Sequence, residues 1–314
     1  MNRELTISIL IPTYNHQCVE LVRDLQRLAD ACEGMSYEIL VSDDGSTDKD
    51  VISANKAINA LPSCRYLRRD INAGRAATRN LLARMAQYDY FLFIDSHMSI
   101  ISDDFLVRYL EHADNDVVYG GYQVPADRKE LKGNLRYRYE QARHHVISIE
   151  ERQAHPYHDF HTSNFMIRRE VMLAHPFDER FRRYGYEDVF FGRVLKEAGV
   201  VVTHIDNPVG FEGFESNNYF LEKTTEGLLT LLERRNELRG YSRLLEKAEK
   251  IEHWHLVGCV RLWHKLFGGL ERKNLTGRHP SLTFFNLWRM GTFFAAKKIK
   301  LISIPKLKKS RKRA

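Results

Sequence analysis

Asp95 and His97 are the residues of this sequence whose types and spacing point most directly to chemistry. They lie two positions apart and follow at once on the apolar run 90–94, which has the composition of a buried strand. A carboxylate and a neutral imidazole are both ligands for divalent cations, and such a cation can bridge and neutralise a diphosphate. The pair therefore predicts a metal site for nucleotide-sugar chemistry.

Two more polar segments follow apolar runs, at residues 13–15 and 43–46. Ligands of α/β sheets bind at the carboxyl ends of the strands, so these segments are expected at the same edge as Asp95. The Asp44 carboxylate can accept a hydrogen bond from a base N–H there. A turn followed by a helix cap at Ser46 or Thr47 is an alternative, and both interpretations can hold, one for each carboxylate of the segment.

A third pattern combines Gly74 with Arg75 and Arg79, which lie one turn apart in a predicted helix. The glycine relaxes the backbone at the helix start, and both arginines can face a phosphate, although one of them can equally be a surface charge. Farther along, Glu187 and Asp188 open a helix, which places two carboxylates at its positive end. Capping alone would explain one of them.

Short apolar runs alternate with amphipathic stretches in the first half of the chain, which predicts a sheet built from β-α units. Strands are expected at 5–11, 37–42, 64–68, 90–95 and 117–119, and helices at about 19–32, 48–60, 75–86 and 103–113. Residues 122–162 lack a clear period and are interpreted as an acceptor-side insertion. Strands at 163–168 and 200–203 and helices at 188–198 and 218–238 follow.

The ordered motifs Ile9–Asn15, Val41–Asp48, Asn72–Gly74 with Arg79-Asn80, Asp95-x-His97 and Tyr186–Asp188 resemble those of the family-2 glycosyltransferases. The resemblance covers about residues 5–235. It implies a GT-A fold, in which a Rossmann-like mixed sheet is flanked by helices, and here a basic helical extension follows at the C-terminus. The expected division is a catalytic domain over 1–217, with a nucleotide-binding half (1–120) and an acceptor-side half (121–217), and a helical region over 218–314.

The resemblance also assigns roles to individual residues. Asp188 is the expected general base, and Glu187 a supporting catalytic and acceptor contact. Tyr186 and Asn164 are expected to contact the acceptor. The expected nucleotide-binding residues, with Arg79 on the leaving diphosphate and Pro12 and Tyr14 lining the base pocket, are Pro12, Tyr14, Asn15, Asp43, Asp44, Asn72, Gly74, Arg79, Asp95 and Ser96.

The Asp-x-His pair departs from the Asp-x-Asp most common in the family, and the imidazole favours Mn²⁺ while leaving Mg²⁺ possible. Relatives often have a third ligand, a histidine, where this chain has Phe211, and His204 is a possible substitute. His155, His158 and His161 recur every third residue, but Pro156 argues against a helix that would align them around zinc, so an acceptor-contact loop is the better interpretation.

The net charge of +7 is unevenly placed, because residues 297–314 hold nine basic residues and no acidic one, which leaves −2 on the rest. With the aromatic residues upstream, this predicts docking on an anionic membrane surface; a helical subdomain with a solvated basic end is the alternative, and nucleic acid is not an expected partner. Four scattered cysteines suggest neither a disulfide framework nor a zinc knuckle and fit a reducing cytoplasm. No run of the sequence looks able to span a membrane.

The predicted function is transfer of a hexosyl or N-acetylhexosaminyl group from a nucleoside diphosphate sugar, UDP-linked by expectation, to a hydroxyl of a glycan or lipid-linked glycan. The resemblance implies an inverting, metal-dependent reaction in polysaccharide biosynthesis, at the inner face of the cell membrane. The alternative is a non-catalytic protein that binds a nucleotide sugar or glycan and has a degenerate metal site.

Overall fold

The computed structural model describes residues 5–144, 148–158 and 160–303. Within them a seven-stranded sheet has the order β3-β2-β1-β4-β8-β6-β9, and a three-stranded sheet has the order β5-β10-β7. The strands are β1 (Leu5–Thr13), β2 (Met35–Asp43), β3 (Cys64–Arg68), β4 (Tyr90–Ile94), β5 (Met98–Ser99), β6 (Val117–Tyr119), β7 (Tyr122–Gln123), β8 (Asn164–Arg168), β9 (Val202–His204) and β10 (Val209–Phe211).

The sheet is mixed, as predicted. β1 pairs in parallel with β2 and β4, and β6 with β9, whereas β8 runs antiparallel to both β4 and β6. The α-helices that the structure describes are α1 (Val19–Asp30), α2 (Lys49–Asn55), α3 (Arg75–Met85), α4 (Phe105–Leu110), α5 (Leu135–His144), α6 (Ile149–Ala154), α7 (Arg169–Ala174), α8 (Glu187–Glu197), α9 (Asn217–Glu233), α10 (Arg243–His253), α11 (Val257–Leu275) and α12 (Leu282–Ser303).

Alternate residues of β1 enter two separate hydrophobic clusters. Ile7, Ile9 and Ile11 pack into one cluster, and Leu10 into the other. Side chains of a strand point alternately to its two faces, so a core on both faces means that helices cover both sides of the sheet. This burial explains why the strands read as continuous apolar runs.

Two local predictions were wrong. The helix expected over 48–60 is split into α2 and a 3-10 helix over Lys56–Ala60. Its cap is Asp48, whose side chain accepts hydrogen bonds from the N–H groups of Asp50 and Val51, and so the cap is neither Ser46 nor Thr47. Residues 122–162 contain the helices α5 and α6, which the sequence did not reveal because their faces are rich in Arg, Tyr and Glu.

The chain divides into two compact units, and the first consists of the described residues of Met1–Lys132 and Arg136–Glu215. It contains both sheets. The second consists of Gly133–Leu135 and the described residues from Ser216 onward, with α9 to α12.

The second unit has an aromatic core of its own. Phe220 on α9 stacks on Phe285 of α12 with ring centroids 5.4 Å apart, and Trp288, Phe293 and Phe294 are buried with them. The end of the basic segment, including Lys306, Lys308, Lys309, Arg311, Lys312 and Arg313, lies outside the described residues. Among the helices of the described ranges, none has the length and apolar character needed to cross a membrane.

Candidate active site

The loops that follow β1 and β2 are joined by Asn15. Its side-chain Oδ1 accepts hydrogen bonds from the N–H groups of Thr47 (2.8 Å) and Asp48 (3.1 Å), and its own N–H donates to Ser46 Oγ (2.7 Å). Asn15 has a positive φ of 48°, a conformation that asparagine tolerates better than most residues. This residue, predicted to bind nucleotide, therefore fixes the loops that would surround it.

Asp43 and Asp44 are both buried, and both accept hydrogen bonds from backbone N–H groups. Asp43 accepts hydrogen bonds from the Ser46 N–H (2.7 Å) and from the Tyr66 hydroxyl. Asp44 accepts from the N–H groups of Ala73 (2.9 Å) and Gly74 (2.8 Å), which ties the loop before α3 to the end of β2. A carboxylate has about four acceptor positions, so Asp44 retains capacity for a base N–H.

The remaining residues predicted on the nucleotide side lie along these loops. Pro12 pairs with Ser42 in the sheet and is half-buried, while Tyr14 and Asn72 are exposed. Gly74 has φ +92°, and a Cβ there would lie 2.9 Å from the Arg182 carbonyl oxygen, so only glycine fits. The exposed Tyr14 ring is free of the core and available to stack on a base.

An ionic chain links three elements across the site. Arg79 of α3 donates from Nη2 to Asp95 Oδ1 (2.7 Å), and its Nη1 lies 3.6 Å from Glu187 Oε1 of α8. Arg75, one turn earlier, lies 3.7 Å from the same Glu187 oxygen and stacks on Tyr184. Asp95 and Glu187, which are 92 positions apart in the sequence, therefore meet through Arg79.

The two arginines differ in what they can reach. Arg79 is fully buried and committed to Asp95 and Glu187, so its guanidinium holds the site together and is not presented to a diphosphate. Arg75 is partly exposed. The geometry therefore favours Arg75 over the predicted Arg79 as the cation available to a phosphate group.

The adjacent carboxylates Glu187 and Asp188 have pKa values shifted in opposite directions. Burial, assisted by the neighbouring charge of Asp188, raises the pKa of Glu187 although the two arginines oppose it. Burial also acts to raise the pKa of Asp188, but the hydrogen bonds from His161 and the Val189 N–H and the charge of Arg79 outweigh it and lower that pKa. Divergent pKa values in neighbouring carboxyl groups are a mark of distinct acid–base roles.

His161 orients Asp188. The His161 Nδ1 lies 3.1 Å from Asp188 Oδ2, and Nε2 lies 3.4 Å from Nη2 of Arg143. A guanidinium only donates hydrogen bonds, so Nε2 is the acceptor and Nδ1 carries the proton that it donates to Asp188. The partly exposed carboxylate of Asp188 is thus held ionised and in one orientation.

Asp95 and His97, which follow β4, carry donor atoms of the kinds that bind divalent cations. Arg79 engages Oδ1 of Asp95, which leaves Oδ2 for a cation. Burial and the nearby charges of Arg75 and Arg136 lower the pKa of His97 to about 3 despite the opposing effect of Asp95, so its imidazole is neutral at physiological pH. Ionised carboxylate and neutral imidazole are the forms that bind metal.

The third ligand of the relatives has no counterpart among the described residues. They contain no group of three or more His, Cys, Asp or Glu side chains arranged to hold a metal. Phe211 packs edge-on against His97, with ring centroids 5.3 Å apart. His204 is buried, with Nε2 placed 2.9 Å from the Pro156 carbonyl oxygen, and packs on Tyr119. A cation on Asp95 and His97 would take its other ligands from the diphosphate and water.

One predicted contact is not supported by the structure. Asn164 is fully buried; its Nδ2 donates to the carbonyl oxygens of Gly121 and Asn207 (both 2.8 Å), and its Oδ1 accepts from the Tyr109 hydroxyl (2.7 Å). We therefore assign Asn164 a structural role in place of the predicted acceptor contact. Asn164 begins a strand, and such positions often face a ligand. Its burial depends on residues distant in sequence, which the local pattern does not show.

Ser96 and Tyr186 lie beside the charged chain. Ser96 is buried between Asp95 and His97, whereas Tyr186 is partly buried and precedes α8 with a left-handed φ of 69°. Such a conformation costs on the order of 1 kcal/mol for a non-glycine residue and is concentrated at functional sites. It orients the start of α8, and with it Glu187 and Asp188.

Sequence reasoning missed the charged face of α5. Arg136 bonds Glu140 (2.7 Å), Glu140 accepts from the Tyr122 hydroxyl (2.8 Å), and Arg143 reaches His161. Arg136 also lies over the Phe211 ring, at 5.3 Å from its centroid. Residues at i, i+4 and i+7 share one helix face, so this spacing was the signal that could have revealed the face.

Comparison with models of protein families identifies the family of this chain. The model of glycosyl transferase family 2 matches residues 8–174, which is more than half of the chain and includes Asp44, Arg79, Asp95 and His97. The chain belongs to glycosyl transferase family 2. Its match covers the residues of the nucleotide-binding half and ends before Glu187 and Asp188.

Two curated proteins resemble this family-2 chain in part. An uncharacterized glycosyltransferase of Haemophilus influenzae is 37% identical over 106 residues, covering 33% of this chain and 40% of that protein. Chondroitin synthase of Pasteurella multocida is 27% identical over 244 residues, covering 67% of this chain and 25% of that protein. The chain therefore spans less than half the length of either relative.

Solved structures confirm the predicted GT-A architecture. Mannosyltransferase PcManGT of Pyrobaculum calidifontis, in complex with GDP-Man and Mn²⁺, superposes with a TM-score of 0.55 at 14% identity, over 95% of this chain and 87% of that chain. TarS 1-349 of S. aureus, in complex with UDP-GlcNAc, gives 0.51 at 15% identity, over 95% and 92%. At these identities the similarity shows the fold.

Proposed function

We propose that this family-2 protein transfers a hexosyl or N-acetylhexosaminyl group from a UDP-linked sugar to a hydroxyl of a glycan or lipid-linked glycan, with inversion, in polysaccharide biosynthesis. The main support is that Asp188, a carboxylate suited to act as a base, lies next to the residues expected to surround the diphosphate. Asp188 is partly exposed and held ionised by His161, and its neighbour Glu187 is linked through Arg79 to Asp95.

Asp188 would serve as the general base. The acceptor hydroxyl oxygen forms a bond to the anomeric carbon of the sugar, the bond between that carbon and the diphosphate oxygen breaks, and Asp188 takes the hydroxyl proton. A direct displacement of this kind inverts the anomeric configuration. The position of Asp188 at the amino end of α8 and its hydrogen bond from His161 keep the carboxylate ready to accept that proton.

The donor side requires charge neutralisation at the leaving diphosphate. Arg75 would contact a phosphate oxygen, while Arg79 and Glu187 hold Asp95 in place. Asp95 and His97 would hold a divalent cation, Mn²⁺ in preference to Mg²⁺ because of the imidazole, and its chemistry when bound is to neutralise the diphosphate. Tyr14 would stack on the base, and Asp44 would accept its N–H.

The proposed donor and acceptor draw support from the relatives. Chondroitin synthase is the relative that matches the larger share of this chain, and TarS has been solved with UDP-GlcNAc. PcManGT binds GDP-Man with Mn²⁺, so a guanine nucleotide is the competing donor. Uracil and guanine differ in size, and a pocket edged by Pro12, Tyr14 and Asp44 would distinguish them.

A donor screen tests the proposal. UDP- and GDP-linked hexoses and N-acetylhexosamines are added with Mn²⁺, Mg²⁺ or chelator, and both the thermal transition and the release of nucleoside diphosphate are followed. Stabilisation and turnover by a UDP-sugar with Mn²⁺ are expected. A donor that stabilises the protein but is never turned over, even with candidate acceptors, would instead indicate the non-catalytic alternative, which the presence of Phe211 beside His97 favours.

A further inference from the structure

Helix α11 presents a continuous apolar surface that stays exposed among the described residues of the chain. Leu262, Leu266 and Leu270 are 58, 62 and 63% exposed, and Trp263 and Phe267 beside them are also exposed. We call these five residues the α11 surface. Isolated exposed leucines are ordinary, but a contiguous apolar patch of this kind marks a docking site.

The surface follows from the helical period. Leu262, Leu266 and Leu270 repeat every four residues and form one row, and Trp263 and Phe267 form the next, with ring centroids 4.4 Å apart. Glu271 and Leu275 of α11 are buried, and Glu271 accepts a hydrogen bond from the indole N–H of Trp263 (2.8 Å). The helix therefore has one face in the core of its unit and a separate apolar face in solvent.

The charge around this surface has one sign. From His253 to Ala314 the sequence has fifteen Lys and Arg residues, and Glu271 is its one acidic residue. Glu271 is buried, whereas Lys265, Arg272, Lys273 and Arg278 are exposed. An apolar row bordered by cations is complementary to a partner with negative charges at its surface and an apolar layer beneath them.

We propose that the α11 surface docks on an anionic lipid bilayer. Its leucines, Trp263 and Phe267 would enter the region between headgroups and acyl chains, with Lys265, Arg272 and Lys273 at the phosphate level. Insertion in the plane of the interface agrees with the finding that no described helix has the character of a membrane span. Docking of this kind would make the protein peripheral on the acidic inner leaflet of a cell membrane.

The structure changes which residues carry the interaction. The sequence assigned the apolar and aromatic residues of both 254–267 and 282–294 to the membrane, but Phe285, Trp288, Phe293 and Phe294 are buried. Lys297 is bonded to Glu252 (2.6 Å). Phe284 and Leu287 of α12 stay exposed, but the larger set of exposed apolar residues lies on α11.

Vesicle sedimentation tests this proposal with the full chain. The variant Leu262→Glu/Leu266→Glu/Leu270→Glu removes the exposed row without touching a buried side chain. Wild-type protein is expected to sediment with phosphatidylglycerol vesicles at low salt and much less with phosphatidylcholine vesicles. The triple variant is expected to bind at least about 100-fold more weakly, from three lost leucines and three added negative charges.

A matched control carries the same charge change elsewhere. Val107→Glu/Leu173→Glu/Val201→Glu replaces three exposed aliphatic residues of the first unit, and it is expected to sediment with the vesicles like wild type after correction for its charge. Circular dichroism and UDP binding verify that all variants are folded. Equal vesicle binding by wild type and the Leu262 variant overturns the proposal, as does wild-type indifference to phosphatidylglycerol. If that indifference is accompanied by a wild-type dimer that the variant lacks, the surface joins two copies.

Discussion

Replacing Arg79 with methionine is expected to destabilise the first unit strongly, because the positive charge of Arg79 lies beside the negative charges of two carboxylates. Its side chain is 1% exposed, and it lies 2.7 Å from Asp95 and 3.6 Å from Glu187, which are 14% and 4% exposed. Methionine fills a similar volume but leaves Asp95 without the cation that bonds it and leaves Glu187 with Arg75 alone. Removing one partner of a buried ion pair costs about 3–5 kcal/mol.

Arg75 provides the matched control on the same helix. It is 41% exposed and lies 3.7 Å from the same Glu187 oxygen. Water screens such a pair, so Arg75→Met is expected to cost about 0.2–1 kcal/mol. In a unit of this size, 1 kcal/mol shifts Tm by about 2–4 °C, which predicts a loss of roughly 6–20 °C for Arg79→Met and at most about 4 °C for Arg75→Met.

Differential scanning calorimetry without ligand measures both shifts. The double variant Arg79→Met/Glu187→Gln also removes the charge of one of the two carboxylates that Arg79 contacts. The double variant should therefore unfold at a higher temperature than Arg79→Met, with a coupling of about 0.5–3 kcal/mol. Equal Tm losses for the two arginine variants, or a double variant less stable than Arg79→Met, would refute the assigned burial of charge.

Three further predictions concern catalysis. Asp188→Asn should lower transfer by about 10²–10⁴-fold with donor affinity within a few-fold of wild type, and a near wild-type rate in a coupled assay would exclude Asp188 as the base. His97→Ala should weaken Mn²⁺-dependent UDP binding in calorimetry while preserving Tm, and UDP binding indifferent to chelator would contradict the metal site. Burial acts to raise the pKa of Asp188 and the His161 hydrogen bond lowers it, so His161→Phe should raise that pKa and move the acidic limb of the rate profile to higher pH. His161→Asn can still donate a hydrogen bond to Asp188 and should restore part of the wild-type pH–rate profile. If the acidic limb of the profile does not move in His161→Phe, the hydrogen bond from His161 does not set the pKa of Asp188.

Much of the first unit follows from local sequence. Strands over Cys64–Arg68 and Val117–Tyr119 were predicted with their observed ends, because each is a short segment with β-branched, aromatic or aliphatic residues bounded by polar loops. The GT-A fold and the family follow from the order of the motifs. Helix α5 was not predicted, because the face that holds Arg136 and Glu140 is charged and a search for hydrophobic periodicity does not detect a charged face.

Tertiary structure decided what individual side chains do. Arg75 and Arg79 look alike in sequence, and the docking of α8 against α3 is what buries one and leaves the other partly exposed. His161 and Asp188 are 27 positions apart, so their hydrogen bond exists only in the folded chain. The same holds for Asn164, whose strand-end position suggested an acceptor contact and whose three partners come from helix α4 and two loops distant in sequence. The sequence by itself determined which elements form and where polar groups gather, because both depend on backbone periodicity and local polarity, whereas burial and pairing depend on which elements pack together.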